Sequence, residues 1–322
     1  MFVSVVVPCY RSAQMLPELV ARLSAVLPGA AIEHEIVLVV DGSPDDTWNV
    51  AAALARRHRE VRAIQLARNY GQHNALIAGI RAARHDVIVT MDDDLQHPPE
   101  EVPRLLAALT DEVDLVYARP LEEEHGLARS LASQLVKVSL AGPFGIHGAR
   151  HIGAFRAFRT FLRNGFHGLT GPHVSIDVAL SWATTRIACV DVRMEQRRSG
   201  RSGYTLRALL RHAVNMLVGY STTPLRFVTY LGVGVGALGL LLCGLVLCCY
   251  FTGETTVAGF TSLASMIALF SSAQLLGIGV VGEYLGRVHA GGMGRPTYVI
   301  RTEVGPPASD EAADLRSDVL SQ

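Results

Sequence analysis

Asp92 and Asp94 stand two residues apart at the end of the apolar run Asp86-Val87-Ile88-Val89-Thr90-Met91, with Asp93 between them and Gln96 just beyond. Side chains alternate along an extended segment, so carboxylates at this spacing point the same way and can share one hard divalent cation through oxygen. Such an ion most often holds a phosphorylated substrate; a solvated acidic turn is the bland alternative. Two further polar residues close apolar runs in the same manner: Asp41 after Glu35 to Val40, and Arg68 after Val61 to Leu66.

Those runs alternate with helical patterns. Strands are expected over Phe2–Val7, Glu35–Val40, Val61–Leu66, Asp86–Met91 and Asp114–Tyr117, and helices over Leu16–Leu27, Thr47–His58, Gln72–Ala83 and Pro99–Leu109. This rhythm implies an α/β fold with an open, mostly parallel sheet, whose ligand site lies beyond the carboxyl ends of the strands. Asp41, Arg68 and the Asp92 cluster all fall there. Pro8-Cys9-Tyr10-Arg11 follows the first strand in place of a Gly-x-Gly-x-x-Gly turn, which argues against a nicotinamide dinucleotide enzyme. From Leu121 to about Gly200 the pattern is less regular, rich in Arg, His and Gly, and reads as loops and short helices.

The 322 residues carry 29 basic and 29 acidic side chains, a balance that argues against bulk nucleic-acid binding. Five cysteines without a Cys-x-x-Cys pair indicate neither a zinc site nor a disulfide framework. The N-terminus lacks a basic stretch and breaks at Pro8, so it reads as a strand and not a signal peptide. Two uncharged stretches, Phe227–Phe251 and Val257–Gly282, each exceed the roughly 20 residues that cross a bilayer core. Arg207, Arg211 and Arg226 precede the pair and Arg287, Arg295 and Arg301 follow it, while the connector Thr252 to Thr256 has no basic residue. The expectation is a two-helix transmembrane hairpin with both flanks cytoplasmic. Ser202 to Tyr220 puts Leu206, Leu209, Leu210, Val214 and Leu217 on one face, as an interfacial helix would; an amphipathic core helix is the alternative. The expected order is a catalytic domain over 1–200, a juxtamembrane helix over 201–222, spans over 227–251 and 257–282, and a tail over 283–322 that lacks structure from Glu303 on.

Val5-Val6-Val7-Pro8-Cys9-Tyr10, Val40-Asp41-Gly42-Ser43-Pro44-Asp45-Asp46-Thr47, Ala67-Arg68-Asn69-Tyr70-Gly71-Gln72-His73 and Asp92-Asp93-Asp94-Leu95-Gln96-His97-Pro98-Pro99-Glu100, in this order, resemble family 2 glycosyltransferases. More narrowly, with Gly200 to Leu206, Thr223-Pro224-Leu225-Arg226 and Gly282 to Arg287, the chain resembles the polyisoprenyl-phosphate branch. That branch includes dolichol-phosphate mannose synthase, bactoprenol glucosyltransferases and the undecaprenyl-phosphate aminoarabinose transferase. The resemblance implies a GT-A fold, a nucleotide-sugar donor, UDP-linked by expectation, and a polyprenyl phosphate acceptor. It also implies a Mg2+ or Mn2+ cofactor and residence in a bacterial inner membrane as a multi-pass protein with cytoplasmic termini.

Carried over by residue, the resemblance gives Pro8, Tyr10 and Asp41 to the nucleotide base and ribose, with Arg68 and Asp93 beside them. Asp92, Asp94 and Gln96 go to the metal and diphosphate, and Arg119 and Arg129 to the acceptor phosphate. Arg197, Arg198 and Ser202 go to a loop over donor or acceptor. For each arginine a solvated surface charge is the competing reading. Two positions depart from the family pattern. Val40 replaces the first Asp of Asp-Asp-Gly-Ser, and Ala154 in Gly153-Ala154-Phe155-Arg156 stands where several relatives have the proposed catalytic base. Either Asp177 substitutes as base or sugar ligand, or none is needed, since a phosphate monoester with a second pKa near ~6 is already largely dianionic. In-line displacement with inversion at the sugar C1 is expected by the same analogy. Gly232-x-x-x-Gly236 and Gly282-x-x-x-Gly286 would allow helices of neighbouring subunits to pack in a homo-oligomer. A processive synthase is less similar, as no Gln-x-x-Arg-Trp occurs; a catalytically inactive membrane scaffold is the rival of another class.

Overall fold

The computed structural model describes residues 1–121, 153–166, 175–195, 223–252 and 259–306, which fall into two units. The first takes in the described residues up to Glu195 together with the segment from Arg295 on. It is built on a sheet with eight strands among the described residues, in the order β7-β5-β6-β4-β1-β2-β3-β8. These are β1 (Phe2–Cys9), β2 (Glu33–Val40), β3 (Val61–Leu66), β4 (Val87–Thr90), β5 (Leu115–Pro120), β6 (Arg156–Arg159), β7 (Ile187–Val192) and β8 (Ile300–Val304). β1 pairs in parallel with β2 and β4, β2 with β3, and β5 with β7, whereas β6 and β8 run antiparallel to their neighbours.

The central strands are nearly continuous valine, isoleucine and leucine because both faces are covered. Alternation sends Val3, Val5, Val7, Ile36, Leu38 and Val40 to one apolar layer and Val6, Val37, Val39, Ile64 and Leu66 to the other. Helices α1 (Leu16–Ala30), α2 (Thr47–Arg57) and α4 (Val102–Ala108) fill the first layer. α3 (Gln72–Ala82) and α5 (Ile176–Ala183) fill the second. α3 lies so close to the sheet that a Cβ on Gly79 would stand 2.3 Å from Val6 Cγ1.

The five expected strands and four expected helices all occur. The short helix α5 agrees with the loops and short helices expected over this region, whereas the strands β6 and β7 depart from that expectation. The tail also differs from the expectation, since Ile300–Val304 forms the edge strand along β3. Glu303 there ion-pairs at 2.6 Å with Arg62, itself tied at 2.8 Å to Glu35, so a buried charge needs this strand as a partner. Just before it, the Val299 carbonyl accepts from the Ala67 amide at 2.8 Å, and Thr297 is buried.

The second unit contains α6 (Thr223–Phe251) and α7 (Phe260–Gly292). They run antiparallel: a Cβ on Gly239 would touch the Phe270 ring, and one on Gly277 would touch Val228. Phe227, Tyr230, Leu240, Leu275 and Val288 are exposed along them. Among the described residues one helix, α6, is long and apolar enough to cross a membrane, with a mean hydropathy of 1.8 over Leu225–Leu242. The amphipathic segment from Ser202 to Tyr220 lies outside the described residues.

Candidate functional site

The chain runs β1, β2, β3 outward and then returns to place β4 on the other side of β1, so the strand order reverses at β1. A cleft of about 390 Å³ opens beyond the carboxyl ends of these strands, where a switch of order leaves room between diverging loops. Pro8, Tyr10, Asp41, Asp92, Asp93 and Asp94 line it, so six of the residues singled out from sequence meet here.

The β1 and β2 exits are stitched together by the Gly42-Ser43 stretch. Ser43 Oγ accepts from the Arg11 amide at 2.8 Å and Thr47 Oγ1 from the Ser12 amide at 3.0 Å. Arg11, at φ 58, holds a left-handed conformation within this stitching, and its guanidinium carbon lies 5.5 Å from the centroid of the half-exposed Tyr10 ring. Gly42 has φ +56, and a Cβ there would come within 2.3 Å of the Arg68 and Asn69 backbone, so only glycine fits. Asp41 receives the Tyr70 and Gly71 amides at 2.7 and 2.8 Å, fixing the turn that starts α3. Burial pushes its carboxyl above the ordinary value, against those two amides and Arg68.

The acidic turn follows β4. Strand geometry ends at Thr90, and Asp92 to Gln96 form a turn with Leu95 at φ 57. The aspartates therefore reach the same cleft by turn geometry and not by the strand alternation expected from their spacing. Asp92 Oδ1 accepts from Gln72 Nε2 at 2.6 Å, and Asp94 Oδ1 from the Gln96 amide at 3.1 Å. Asp93 accepts from the Tyr10 amide at 3.1 Å and from the Ser12 hydroxyl. Burial raises its carboxyl, Ser12 and Tyr10 oppose that, and Asp94 adds to it. Asp93 thus ties the β1 exit to the β4 exit.

Two hard-oxygen donors, Asp92 and Asp94, on a cleft of this size fit Mg2+ or Mn2+, which takes one or two carboxylates and fills its shell with phosphate oxygens and water. Among the described residues no group of three or more His, Cys, Asp or Glu is arranged to hold a metal by itself. Gln96 is outside the lining; its amide serves Asp94 and its carbonyl accepts from the Glu195 amide at 2.9 Å.

Other expected residues sit elsewhere. Arg68 is exposed beside the cleft, 4.6 Å from the Tyr70 ring centroid. Arg119 faces Asp191 across the β5–β7 pair and ion-pairs with it, which raises its pKa. Asp177 is the counter-ion of Arg156, a buried arginine, and accepts from Tyr117 at 3.4 Å. Val40, one of the two departures from the family pattern, is fully buried in the apolar layer and serves packing. Arg129, Arg197, Arg198 and Ser202 lie outside the described residues. Cys9, Ser12, Met15, Asn69, Gly71 and Gln72 line the cleft without having been assigned roles. Their signal was positional, since each closely follows or ends a parallel strand.

The model of glycosyl transferase family 2 matches residues 4–162. Over 303 residues the chain is 32% identical to an undecaprenyl-phosphate 4-deoxy-4-formamido-L-arabinose transferase of Shewanella sediminis, covering 93% of this chain and 92% of that protein. Over 320 residues it is 33% identical to the transferase of the same description from Pseudomonas fluorescens, covering 97% and 94%. Among solved structures it resembles glucosyl-3-phosphoglycerate synthase from Mycobacterium tuberculosis in complex with Mn2+, uridine diphosphate and glucosyl-3-phosphoglycerate. That match has a TM-score of 0.52 and 21% identity over 68% of this chain and 80% of that one, a likeness of fold.

Proposed function

Because the chain belongs to glycosyl transferase family 2, we propose that it moves a sugar from a UDP-linked donor to undecaprenyl phosphate or a similar polyprenyl phosphate, with inversion at C1. The observation that carries the reading is the convergence of Asp41, Asp92 and Asp94 with Pro8 and Tyr10 on one cleft at the sheet's switch point. The acceptor and a 4-deoxy-4-formamido-L-arabinose-type sugar follow from what the near-full-length relatives transfer.

Tyr10, half exposed at the rim, offers its ring to the base, and Asp41 closes the cleft beneath the ribose. Asp92 and Asp94 would hold Mg2+ or Mn2+, which when bound offsets charge on the departing diphosphate. The acceptor phosphate is already an anionic nucleophile, so the residues have to orient and neutralise it and need not deprotonate it. This leaves Ala154 without a proton to handle and Asp177 free to serve Arg156. Arg119, Arg129 and Arg198 are the cations proposed for the acceptor phosphate. Arg119 would exchange Asp191 for that anion. With α6 long and apolar enough to cross a membrane, α6 and α7 would anchor the chain as a multi-pass hairpin in the bacterial inner membrane, with the catalytic unit on the cytoplasmic side where the lipid headgroup lies.

Purified full-length protein in detergent, given undecaprenyl phosphate and a panel of nucleotide sugars, tests this by lipid mass. One sugar on the lipid phosphate, abolished by EDTA, is expected. Polymer or no lipid product would overturn the reading.

A further inference from the structure

Beneath the acidic turn lies a buried polar chain that the proposed chemistry does not use. Arg156 is 1% exposed, and its Nε donates to Thr90 Oγ1 at 2.9 Å while its Nη1 donates to Asp177. Thr90 Oγ1 in turn donates to the Ala154 carbonyl at 2.8 Å. Thr90 and Arg156 are register partners on β4 and β6, and Tyr117 of β5 completes the group on Asp177. Burial, and then the Asp177 charge, hold the Tyr117 hydroxyl in its neutral donor form.

The position of this chain gives it a use. Thr90 is the last residue of β4, two before Asp92, so about 7 Å of backbone separates the buried hydroxyl from the first carboxylate of the turn. Removing the carboxylate partner of a buried guanidinium leaves an uncompensated charge in the interior and destabilises its surroundings. The side chain through which Arg156 is anchored lies on α5, an element otherwise remote in sequence from the acidic turn.

We propose that Asp177 is a positioning residue: through Arg156 and Thr90 it fixes the β4 exit, and with it the Asp92–Asp94 turn that receives the metal and diphosphate. This rests on the proposed metal and donor reading. Partners of metal-binding carboxylates typically change affinity by about 10–100-fold when removed.

The test uses full-length protein in detergent and reads Mn2+ binding directly by electron paramagnetic resonance, in the presence of UDP, beside donor KM and kcat. Asp177→Asn is expected to weaken Mn2+ binding about tenfold, and Thr90→Val to weaken it in the same direction, with Thr90→Ser restoring it. The double variant Asp177→Asn with Thr90→Val should lose less than the sum of the two. Unchanged Mn2+ affinity in Asp177→Asn with a fallen kcat would overturn the proposal and move Asp177 to the sugar or acceptor. Should Asp177→Asn fail to fold, Thr90→Val decides: normal Mn2+ affinity there overturns it too. Wild-type protein that binds UDP-sugar but no Mn2+ would sink the metal reading and this proposal together, whereas lipid-product failure with normal Mn2+ binding would sink only the acceptor.

Discussion

The two ends of one sheet treat carboxylates in opposite ways. At the amino end of the parallel strands, Glu35 is buried against Arg62, Ser4 Oγ and the Arg84 amide, and Arg62 takes Glu303 as a second partner. Burial alone would raise the Glu35 carboxyl, but Arg62, the Ser4 hydroxyl and the Arg84 amide together outweigh it and hold the pKa below the ordinary value. At the carboxyl end, four aspartates and a single arginine, Arg11, line the cleft among the described residues. Amides and hydroxyls grip these aspartates, and burial leaves Asp41 and Asp93 raised. Charge neutralised within the fold builds structure; negative charge gathered at a cleft is poised for a cation brought by a ligand.

Breaking the carboxyl end should cost activity with little stability. Asp94→Asn is expected to reduce transfer about a thousand-fold, since a charge-stabilising contact of several kcal/mol is removed, with an unchanged thermal midpoint. Steady-state turnover and calorimetry on the same preparation check both halves. Breaking the amino end should do the reverse. Glu35→Gln is expected to destabilise the fold by about 3 kcal/mol by leaving Arg62 less compensated, with donor KM preserved in the protein that remains folded. The Glu35 contribution is fully present above the ordinary glutamate range and disappears as pH falls through its depressed folded value, so an acid titration of the melting temperature should be shallower in the variant.

Gly42→Ala lies between these extremes. The left-handed strain and the clash with the Arg68–Asn69 backbone should lower stability by about 2 kcal/mol and raise donor KM together, measurable by melting and by donor titration. The smallest effect sharpens the contrast most. Because the Asp93 carboxyl is raised, it is destabilising when ionised and its contribution falls as pH rises through the gap between ordinary and folded values. Asp93→Asn should therefore melt slightly higher than wild type at neutral pH; a lower midpoint would remove the distinction between the two ends.

The parallel half of the sheet was legible because its strands carry their own signal: continuous valine and isoleucine closed by Asp41, Arg68 or Asp92. β6 and β7 were not, since Arg156, Arg159 and Asp191 interrupt the apolar pattern and find their partners Asp177, Asp111 and Arg119 only in the folded chain. β8 was hidden for the same reason, as Ile300-Arg301-Thr302-Glu303-Val304 is largely exposed and is ordered by pairing with β3. The acidic cluster was placed by its sequence beyond the carboxyl end of its strand, where it lines the cleft, but its local geometry was not legible, because turn conformation at Leu95 leaves no periodicity to read. Arg119 and Asp177 illustrate the limit for charged residues: their types suit catalysis, and only tertiary contact reveals Asp191 and Arg156 as their partners.

The place of β8 in the chain has a consequence for biogenesis. The strand that covers the β3 edge is translated after both long apolar helices, so the nascent catalytic unit must wait with an open sheet edge and with Arg62 lacking Glu303. Emergence of Ile300–Val304, and not completion of the N-terminal βα units, is then the moment at which this sheet can close.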